Sequence, residues 1–156
     1  MKKKIFSFLL FIFLSSCGYE AVYSVKNRIN YSFSISGLTL VGDRQVNLRI
    51  KQILNKYTNP DIKKQKSFSL KISSKSEKII TAKDASGDAI KFKNELTLNV
   101  QVIRDDEYKT NLVITENFIY DNNSDTFELR AYENQIKNNL AGAAVDKILI
   151  RLANIL

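Results

Sequence analysis

The stretch IKFKNELTLNVQV, residues 90–102, alternates apolar and polar side chains almost without interruption. A period of two is typical of a β-strand with one buried face and one face in water. The apolar row comprises Ile90, Phe92, Leu96, Leu98, Val100 and Val102. The polar row comprises Lys91, Lys93, Glu95, Thr97, Asn99 and Gln101. We therefore predict a long, half-buried strand.

Similar alternation lies on both sides of this stretch. Before it, Phe68, Leu70 and Ile72 alternate with serine and lysine, and a turn at residues 84–88 carries Gly87. After it, a polar turn at residues 104–107 precedes a third alternating segment, with apolar positions Leu112, Ile114, Phe118 and Tyr120. Consecutive strands with short polar turns predict an antiparallel meander.

Two segments have helical periodicity instead. In the first, Asp43 is a candidate N-cap and Asn59-Pro60 a stop signal, because proline disfavours a helical residue before it. The apolar positions between them are Val46, Ile50, Ile53, Leu54 and Tyr57. Their spacing of three or four residues places them on one helix face.

The second helix follows the loop DNNSD, residues 121–125. Ser124 or Asp125 can cap it, and Glu128 stands three residues after Asp125, as in a capping box. The apolar positions run from Leu129 to Leu152 at intervals of three or four, and residues 148–156 are apolar on more than one face. This end is either buried against the sheet or docks a partner, and burial is favoured.

A further strand is predicted over residues 30–40, where alternation changes phase at Gly37 and indicates a bulge. It can pair with either edge of the meander. With two amphipathic helices and one apolar sheet face, the economical fold is an α+β two-layer sandwich. We predict two helices packed on one face of a four-stranded sheet, order β-α-β-β-β-α, in a single domain over residues 30–156.

The N-terminus has the plan of an export signal. Three lysines precede an apolar run over residues 5–14, which is too short to span a bilayer, and small residues follow. Leu14-Ser15-Ser16-Cys17-Gly18 resembles the lipobox of bacterial lipoproteins. This predicts a cleaved signal peptide (residues 1–16), a lipid anchor on Cys17 and a tether over residues 17–29. The alternative is an ordinary secretory signal with an incidental cysteine.

Composition excludes several classes of function. The chain has one cysteine and no histidine, which rules out an internal disulfide, the usual zinc ligands and histidine-dependent catalysis. Without its signal peptide the chain has 21 basic against 16 acidic residues, with no basic run or nucleic-acid module. We expect no metal, no cofactor, no nucleic acid and no enzymatic activity, since Asp105-Asp106-Glu107 is the pattern of a solvated turn.

The whole chain resembles the LptE family of lipopolysaccharide-assembly lipoproteins. The resemblance rests on the lipobox followed by Gly18-Tyr19-Glu20-Ala21-Val22-Tyr23, on the element order, and on the C-terminal helix from Glu133-Asn134-Gln135 to Arg151-Leu152. It implies a non-enzymatic protein on the periplasmic side of the outer membrane. Such a protein plugs the LptD β-barrel, helps it assemble and binds lipopolysaccharide.

The resemblance transfers no lipopolysaccharide-binding residue by position. Lipid A phosphates require lysine or arginine on ordered elements. Candidates flanking the Gly87 turn and on the neighbouring strand are Lys75, Lys78, Lys83, Lys91 and Lys93. Alternatively, these lysines only keep a sheet face soluble. The alternative function is a free-standing outer-membrane lipoprotein that binds lipid or another envelope complex, such as the barrel-assembly machinery.

Overall fold

The predicted meander forms the centre of the structure. The computed structural model describes residues 33–58, 66–104 and 107–155. The elements in chain order are β1 (Phe33–Gly42), α1 (Arg44–Leu54), β2 (Lys66–Lys83), β3 (Ala89–Arg104), β4 (Glu107–Asp121) and α2 (Thr126–Asn154). Strands β2, β3 and β4 are successive antiparallel neighbours, which confirms the meander.

Strand β1 completes a mixed four-stranded sheet of order β1-β2-β3-β4. It runs parallel to β2, so it joins the β2 edge of the meander, a choice that sequence periodicity left open. The register shifts between Ile35, opposite Phe68, and Gly37, opposite Ser69. Ser36 is therefore the extra residue of a bulge, as the change of phase predicted.

Both helices cover the same face of the sheet. In β2 and β3 the even-numbered residues from Phe68 to Ile72 and from Phe92 to Val102 are buried, while their odd-numbered neighbours are more exposed. Against this row α1 buries Val46, Ile50 and Leu54. Helix α2 buries Ile136, Leu140, Ala141, Ala144, Val145, Ile148, Leu149 and Leu152. The predicted two-layer α+β sandwich is confirmed, and we call the uncovered sheet surface the open face.

The first helix begins as predicted. The Asp43 carboxylate accepts hydrogen bonds from the backbone N–H groups of Gln45 and Val46, at 3.0 and 3.1 Å. The α-helix ends at Leu54 and continues as a short 3-10 turn, Asn55–Tyr57. Asn59-Pro60, the predicted stop signal, lies outside the described residues.

The second helix begins differently from the prediction in one detail. Asp125 is the N-cap and accepts from the N–H groups of Phe127 and Glu128, at 2.9 and 3.0 Å. However, the Asp125 N–H donates to the Asn123 side chain, at 3.0 Å, and the Glu128 carboxylate accepts from Asn123 Nδ2, at 3.2 Å. The capping-box prediction was wrong because Asn123 occupies the N–H group that Glu128 would have bonded.

The apolar C-terminal end of α2 is largely buried, with Ile148, Leu149 and Leu152 in the core. Ile150 is about half exposed, so one face of this end remains in solvent. Neither α1 nor α2 is long and apolar enough to cross a membrane.

The covering layer is shorter than the sheet. Strand β1 ends at Gly42, opposite Ser74, whereas β2 continues to Lys83. Beyond Ser74, β2 has only β3 beside it in the described sheet. We call this region the hairpin end; it contains residues 75–96 of the β2–β3 hairpin and residues 116–121 of β4. Its covered face lies against α2, which it contacts at Glu133 and Lys147.

Ser74 is the last residue of β2 before the hairpin end. Its buried hydroxyl donates to Asn47 Oδ1 of α1, at 2.8 Å, and its carbonyl oxygen accepts from the Asp43 N–H, at 3.3 Å. Gly42 has φ of 106°, and a Cβ there would lie 1.9 Å from the same carbonyl oxygen. Only glycine fits where the chain turns from β1 into α1.

We predict that Gly42→Ala lowers the free energy of unfolding by about 1–3 kcal/mol, because the substitution adds strain and displaces Ser74. Gly142→Ala is the control, since a Cβ at Gly142 meets nothing within 4 Å. In the interior of α2 this control should stabilise by about 0.5–1 kcal/mol. Urea unfolding followed by circular dichroism measures both, and equal effects would contradict the account.

Candidate functional site at the hairpin end

The five candidate lysines do not form one cluster. Lys75, Lys91 and Lys93 have odd numbers and lie on the open face, whereas Lys78 shares the parity of the buried row and lies toward α2. Lys75 lies opposite Thr97, and Lys91 lies opposite Ala82. At about 3.3 Å per residue, Lys75 and Ala82 are about 23 Å apart along β2, so Lys75 and Lys91 are far from each other. Lys83 is exposed at the end of β2.

Each open-face lysine has an acidic partner. Lys75 pairs with Glu77 at 2.8 Å, Lys93 with Glu95 at 2.7 Å, and Lys91 with Asp121 at 2.9 Å. Exposed ion pairs such as Lys75–Glu77 and Lys91–Asp121 stabilise a fold by only about 0–1 kcal/mol, whereas Lys93 and Glu95 are each only 27% exposed. At the two exposed pairs an incoming anion can exchange for the carboxylate at little expense to the fold. We call Lys75, Lys83, Lys91 and Lys93 the strand lysines.

Lys78 belongs to a different arrangement, which we call the Glu133 cluster: Lys78, Phe92, Tyr120 and Glu133. Lys78 Nζ lies 2.6 Å from Glu133 Oε1 and 3.7 Å from the centre of the Phe92 ring. The Tyr120 hydroxyl donates to the same carboxylate oxygen at 2.8 Å. The cluster joins β2, β3 and β4 to the N-terminal half of α2, where the apolar core ends.

Burial and charge shift the titration of this cluster. Burial, followed by the hydrogen bond to Glu133 and its charge, raises the pKa of Tyr120. Burial alone would raise the pKa of Glu133, but hydrogen bonds from Lys78 and Tyr120 and the charges of Lys78 and Lys137 outweigh it and lower that pKa. At neutral pH the carboxylate is ionised and the phenol is neutral. These are the states in which both hydrogen bonds form.

Two further polar residues, on β3 and β4, lie in the covered row, and sequence reasoning missed both. Asn94 lies between Phe92 and Leu96, is buried, and its Nδ2 has no hydrogen-bond partner among the described residues. Glu116 continues the row in β4 and forms an ion pair with Lys147 of α2. The sequence did carry a signal for both residues: each has an even number, as the buried residues of its strand do, and alternation therefore assigns it to the covered face.

Large apolar side chains are exposed at the hairpin end and at the first turn of α2. Phe118 of β4 is 45% exposed and Phe127 of α2 is 81% exposed. A groove of about 590 Å³ lies between β4 and the start of α2, with Phe118, Leu129 and Tyr132 in its walls. Exposed apolar side chains beside a groove can contact protein or lipid.

The described residues contain no group of three or more histidine, cysteine or acidic side chains arranged to hold a metal ion. The predicted anchor Cys17, the signal peptide and the tether lie outside the described residues. So do Asp105 and Asp106 of the acidic turn.

The fold is that of several solved bacterial lipoproteins. No protein-family profile matches the chain, and no curated protein is similar to it in sequence. The rare lipoprotein B of Shewanella oneidensis superimposes with a TM-score of 0.54 at 10% identity, covering 76% of this chain and 98% of that one.

Two further solved structures share this fold. Lipoprotein B from Nitrosomonas europaea has a TM-score of 0.55 at 14% identity, with 81% of this chain and 88% of that one covered. A minor lipoprotein from Acinetobacter baumannii has a TM-score of 0.50 at 13% identity, with 78% and 94% covered. At these identities the likeness establishes a shared fold.

We predict that the Glu133 cluster makes stability depend on pH on the acid side. Because the pKa of Glu133 in the folded protein lies below the ordinary pKa of a glutamate, the cluster stabilises fully above that ordinary pKa and loses its contribution as pH falls through the folded pKa. Glu133→Gln should remove this acid dependence and destabilise at neutral pH by about 1–2 kcal/mol.

Glu77→Gln is the matched control, because Glu77 also pairs with a β2 lysine but is 48% exposed. It should change stability by less than about 0.5 kcal/mol and leave the acid dependence intact. Thermal unfolding measured from about pH 3 to about pH 8, a range that includes the titration of carboxylates, tests both variants. Parallel profiles for the wild type and Glu133→Gln would contradict the prediction.

Proposed function

We propose that this chain is an outer-membrane lipoprotein that plugs an LptD-like β-barrel, helps it assemble and assists lipopolysaccharide transport to the outer leaflet. The observation that carries the proposal is the shared fold, which covers 88–98% of the three lipoprotein chains described above. The lipobox-like sequence ending at Cys17 supports it independently. Family resemblance supplies the barrel and the lipopolysaccharide as partners.

The first described residue and the Gly87 turn lie at opposite ends of the sheet. Because β1 is parallel to β2, the first described residue, Phe33, lies at the end of the sheet opposite the Gly87 turn. Strand β2 has 18 residues, so these two ends are about 59 Å apart if the strand is straight. The hairpin end is therefore the end of the sheet far from Phe33.

The proposed role is binding rather than catalysis. The Glu133 cluster is a set of mutually satisfied hydrogen bonds and charges, which suits a fixed support for the hairpin end. The strand lysines are the proposed contacts for lipid A, and the exposed pairs of Lys75 and Lys91 can exchange a carboxylate for a phosphate. The apolar side chains around Phe118 and Phe127 supply surface for the barrel wall. No metal, cofactor or nucleic acid has a part in this proposal.

A free-standing lipoprotein that binds lipid or another envelope complex is the second candidate. The groove between β4 and α2 at Phe118, Leu129 and Tyr132 favours it, because such a groove can receive an apolar chain without a barrel. The two candidates differ in whether a barrel depends on this protein.

We predict that Cys17→Ser abolishes acylation of the protein, because the thiol of Cys17 is the proposed attachment point of the lipid. Cells labelled with radioactive palmitate should incorporate label into the wild type and not into the variant, and the amount of folded LptD-like barrel should fall in the variant. Ser24→Ala, a change in the tether outside the lipobox, is the control. Labelling of Cys17→Ser at the wild-type level would contradict the anchor, and unchanged barrel levels in the unlabelled variant would favour the second candidate.

We predict that removing the strand lysines weakens lipopolysaccharide binding by about tenfold, through loss of charge-assisted bonds to phosphate. The variant carries Lys75→Gln, Lys83→Gln, Lys91→Gln and Lys93→Gln. The control carries Lys51→Gln in α1 and Lys56→Gln in the 3-10 turn after it, two exposed changes, and should bind normally. Microscale thermophoresis with purified lipopolysaccharide gives the affinities, and an equal loss in both variants would refute a localised site.

A further inference from the structure

The outer side of β4 is an unusually open sheet edge. β4 is the last strand in the order, so its outward backbone N–H and C=O groups have no strand beside them among the described residues. Such a row of unpaired groups is a template for another strand. Natural sheets therefore protect their edges with charge, proline, bulges or short strand length.

The two edges of this sheet differ in protection. The described part of β1 has 10 residues, is interrupted by the bulge at Ser36 and ends at Gly42. In contrast, β4 pairs with β3 without irregularity from Thr110 to Asp121. Residues 110–115, TNLVIT, carry no charge and no proline. The β4 edge thus lacks the features that normally prevent strand addition.

A groove accompanies this edge on the covered side of the sheet. It has a volume of about 600 Å³ and lies between β4 and the C-terminal half of α2. Leu112 and Ile114 form the strand wall, and Ile150 is the half-exposed apolar residue of the helix wall. A strand added to β4 would direct every second side chain into this groove. The intervening side chains would lie on the open face beside Val113.

The charge of the groove restricts what it can receive. Lys147 and Arg151 form its polar rim on α2. Lys147 is paired with Glu116, but Arg151 is exposed and has no acidic side chain within ion-pair distance among the described residues. A carboxylate on the incoming segment would complete this rim, with the bidentate geometry that arginine offers.

We propose that β4 accepts an extended segment of another protein as a fifth strand. The segment has apolar side chains at alternate positions, which enter the groove between β4 and α2. It also has a carboxylate that binds Arg151. Backbone hydrogen bonds between the two strands provide the affinity, and the groove selects segments by their side chains. Other complexes formed by strand addition obtain affinity and specificity in the same way. This inference does not depend on the barrel or the lipopolysaccharide of the proposed function.

The test uses the mature lipidated chain in detergent micelles and a defined probe. The probe is a fluorescein-labelled octapeptide of alternating valine and threonine that ends in glutamate with a free carboxylate. Its binding is measured by fluorescence anisotropy, with empty micelles as the blank. A second probe ends in glutamine amide and lacks both carboxylates.

Val113→Lys is the decisive variant, and the chain offers a close control. Val113 on β4 and Val41 on β1 lie in the same row of the open face, at opposite edges, and are 69% and 62% exposed. A lysine blocks strand addition at the edge where it is placed. We expect Val113→Lys to weaken binding of the acidic probe about tenfold and Val41→Lys to leave it within about twofold.

Arg151→Gln tests the carboxylate contact. It should weaken the acidic probe to the level of the amidated probe and leave the amidated probe unchanged. Amide hydrogen exchange in residues 110–119 should slow when the acidic probe binds, and exchange in β1 should not. Unfolding temperatures within about 2 °C of the wild type show that the variants fold, as expected for exposed positions.

Three results would overturn the proposal. The first is absence of binding by the acidic probe, and the second is an equal loss of binding in Val113→Lys and Val41→Lys. The third is that analytical ultracentrifugation shows a dimer of the wild type, that Val113→Lys converts this dimer to a monomer, and that the acidic probe does not dissociate it. In that case a second copy of this chain, rather than a different protein, occupies the β4 edge.

Discussion

Burial of one face of the β2–β3–β4 meander is the constraint on which the structure depends. Its even-numbered side chains, from Phe68 to Ile72 in β2 and from Phe92 to Val102 in β3, must leave water together. Each apolar side chain buried in this way contributes on the order of 1.5–3 kcal/mol. Two helices supply the cover, and α2 is the one that extends over the hairpin end.

The cover is incomplete, and the polar features of the protein follow from that. Beyond Ser74 neither β1 nor α1 accompanies the meander, so the apolar row gives way to Lys78, Asn94 and Glu116. Glu133 and Lys147 of α2 provide opposite charges for Lys78 and Glu116. The hairpin end is thus joined to α2 by ion pairs and hydrogen bonds, whereas the rest of the sheet packs against the helices through apolar side chains. This leaves it with exposed apolar residues and lysines suited to contact with other molecules.

Much of the fold could be predicted from local pattern. Alternation located the strands, Gly37 located the bulge, and Asp43 and Asp125 located the helix starts, because each of these signals acts within a few residues. The partner of β1 could not be predicted, since a parallel pairing depends on how α1 packs against the sheet. The capping-box expectation was wrong for a similar reason, because it ignored the competing side chain of Asn123.

The candidate site was less accessible to sequence reasoning. Strand parity alone would have separated Lys78 from Lys75, Lys91 and Lys93, yet proximity in sequence suggested one group. The partner of Lys78 is 55 residues away in α2, and no local pattern specifies a contact at that distance. Of the other three ion pairs, only Lys91–Asp121 depends on the sheet, because β3 and β4 pair in that register. The pairs Lys75–Glu77 and Lys93–Glu95 join residues two apart on one strand and are local.

The central proposal is that this protein works as a stable, lipid-anchored partner of a β-barrel. The most direct measurement is purification of the tagged, lipidated protein from envelope membranes in mild detergent, with quantitative mass spectrometry of the proteins that accompany it. The account predicts one large outer-membrane β-barrel protein at near-equal molar yield. Recovery of the protein alone, or with a different envelope complex, would contradict it.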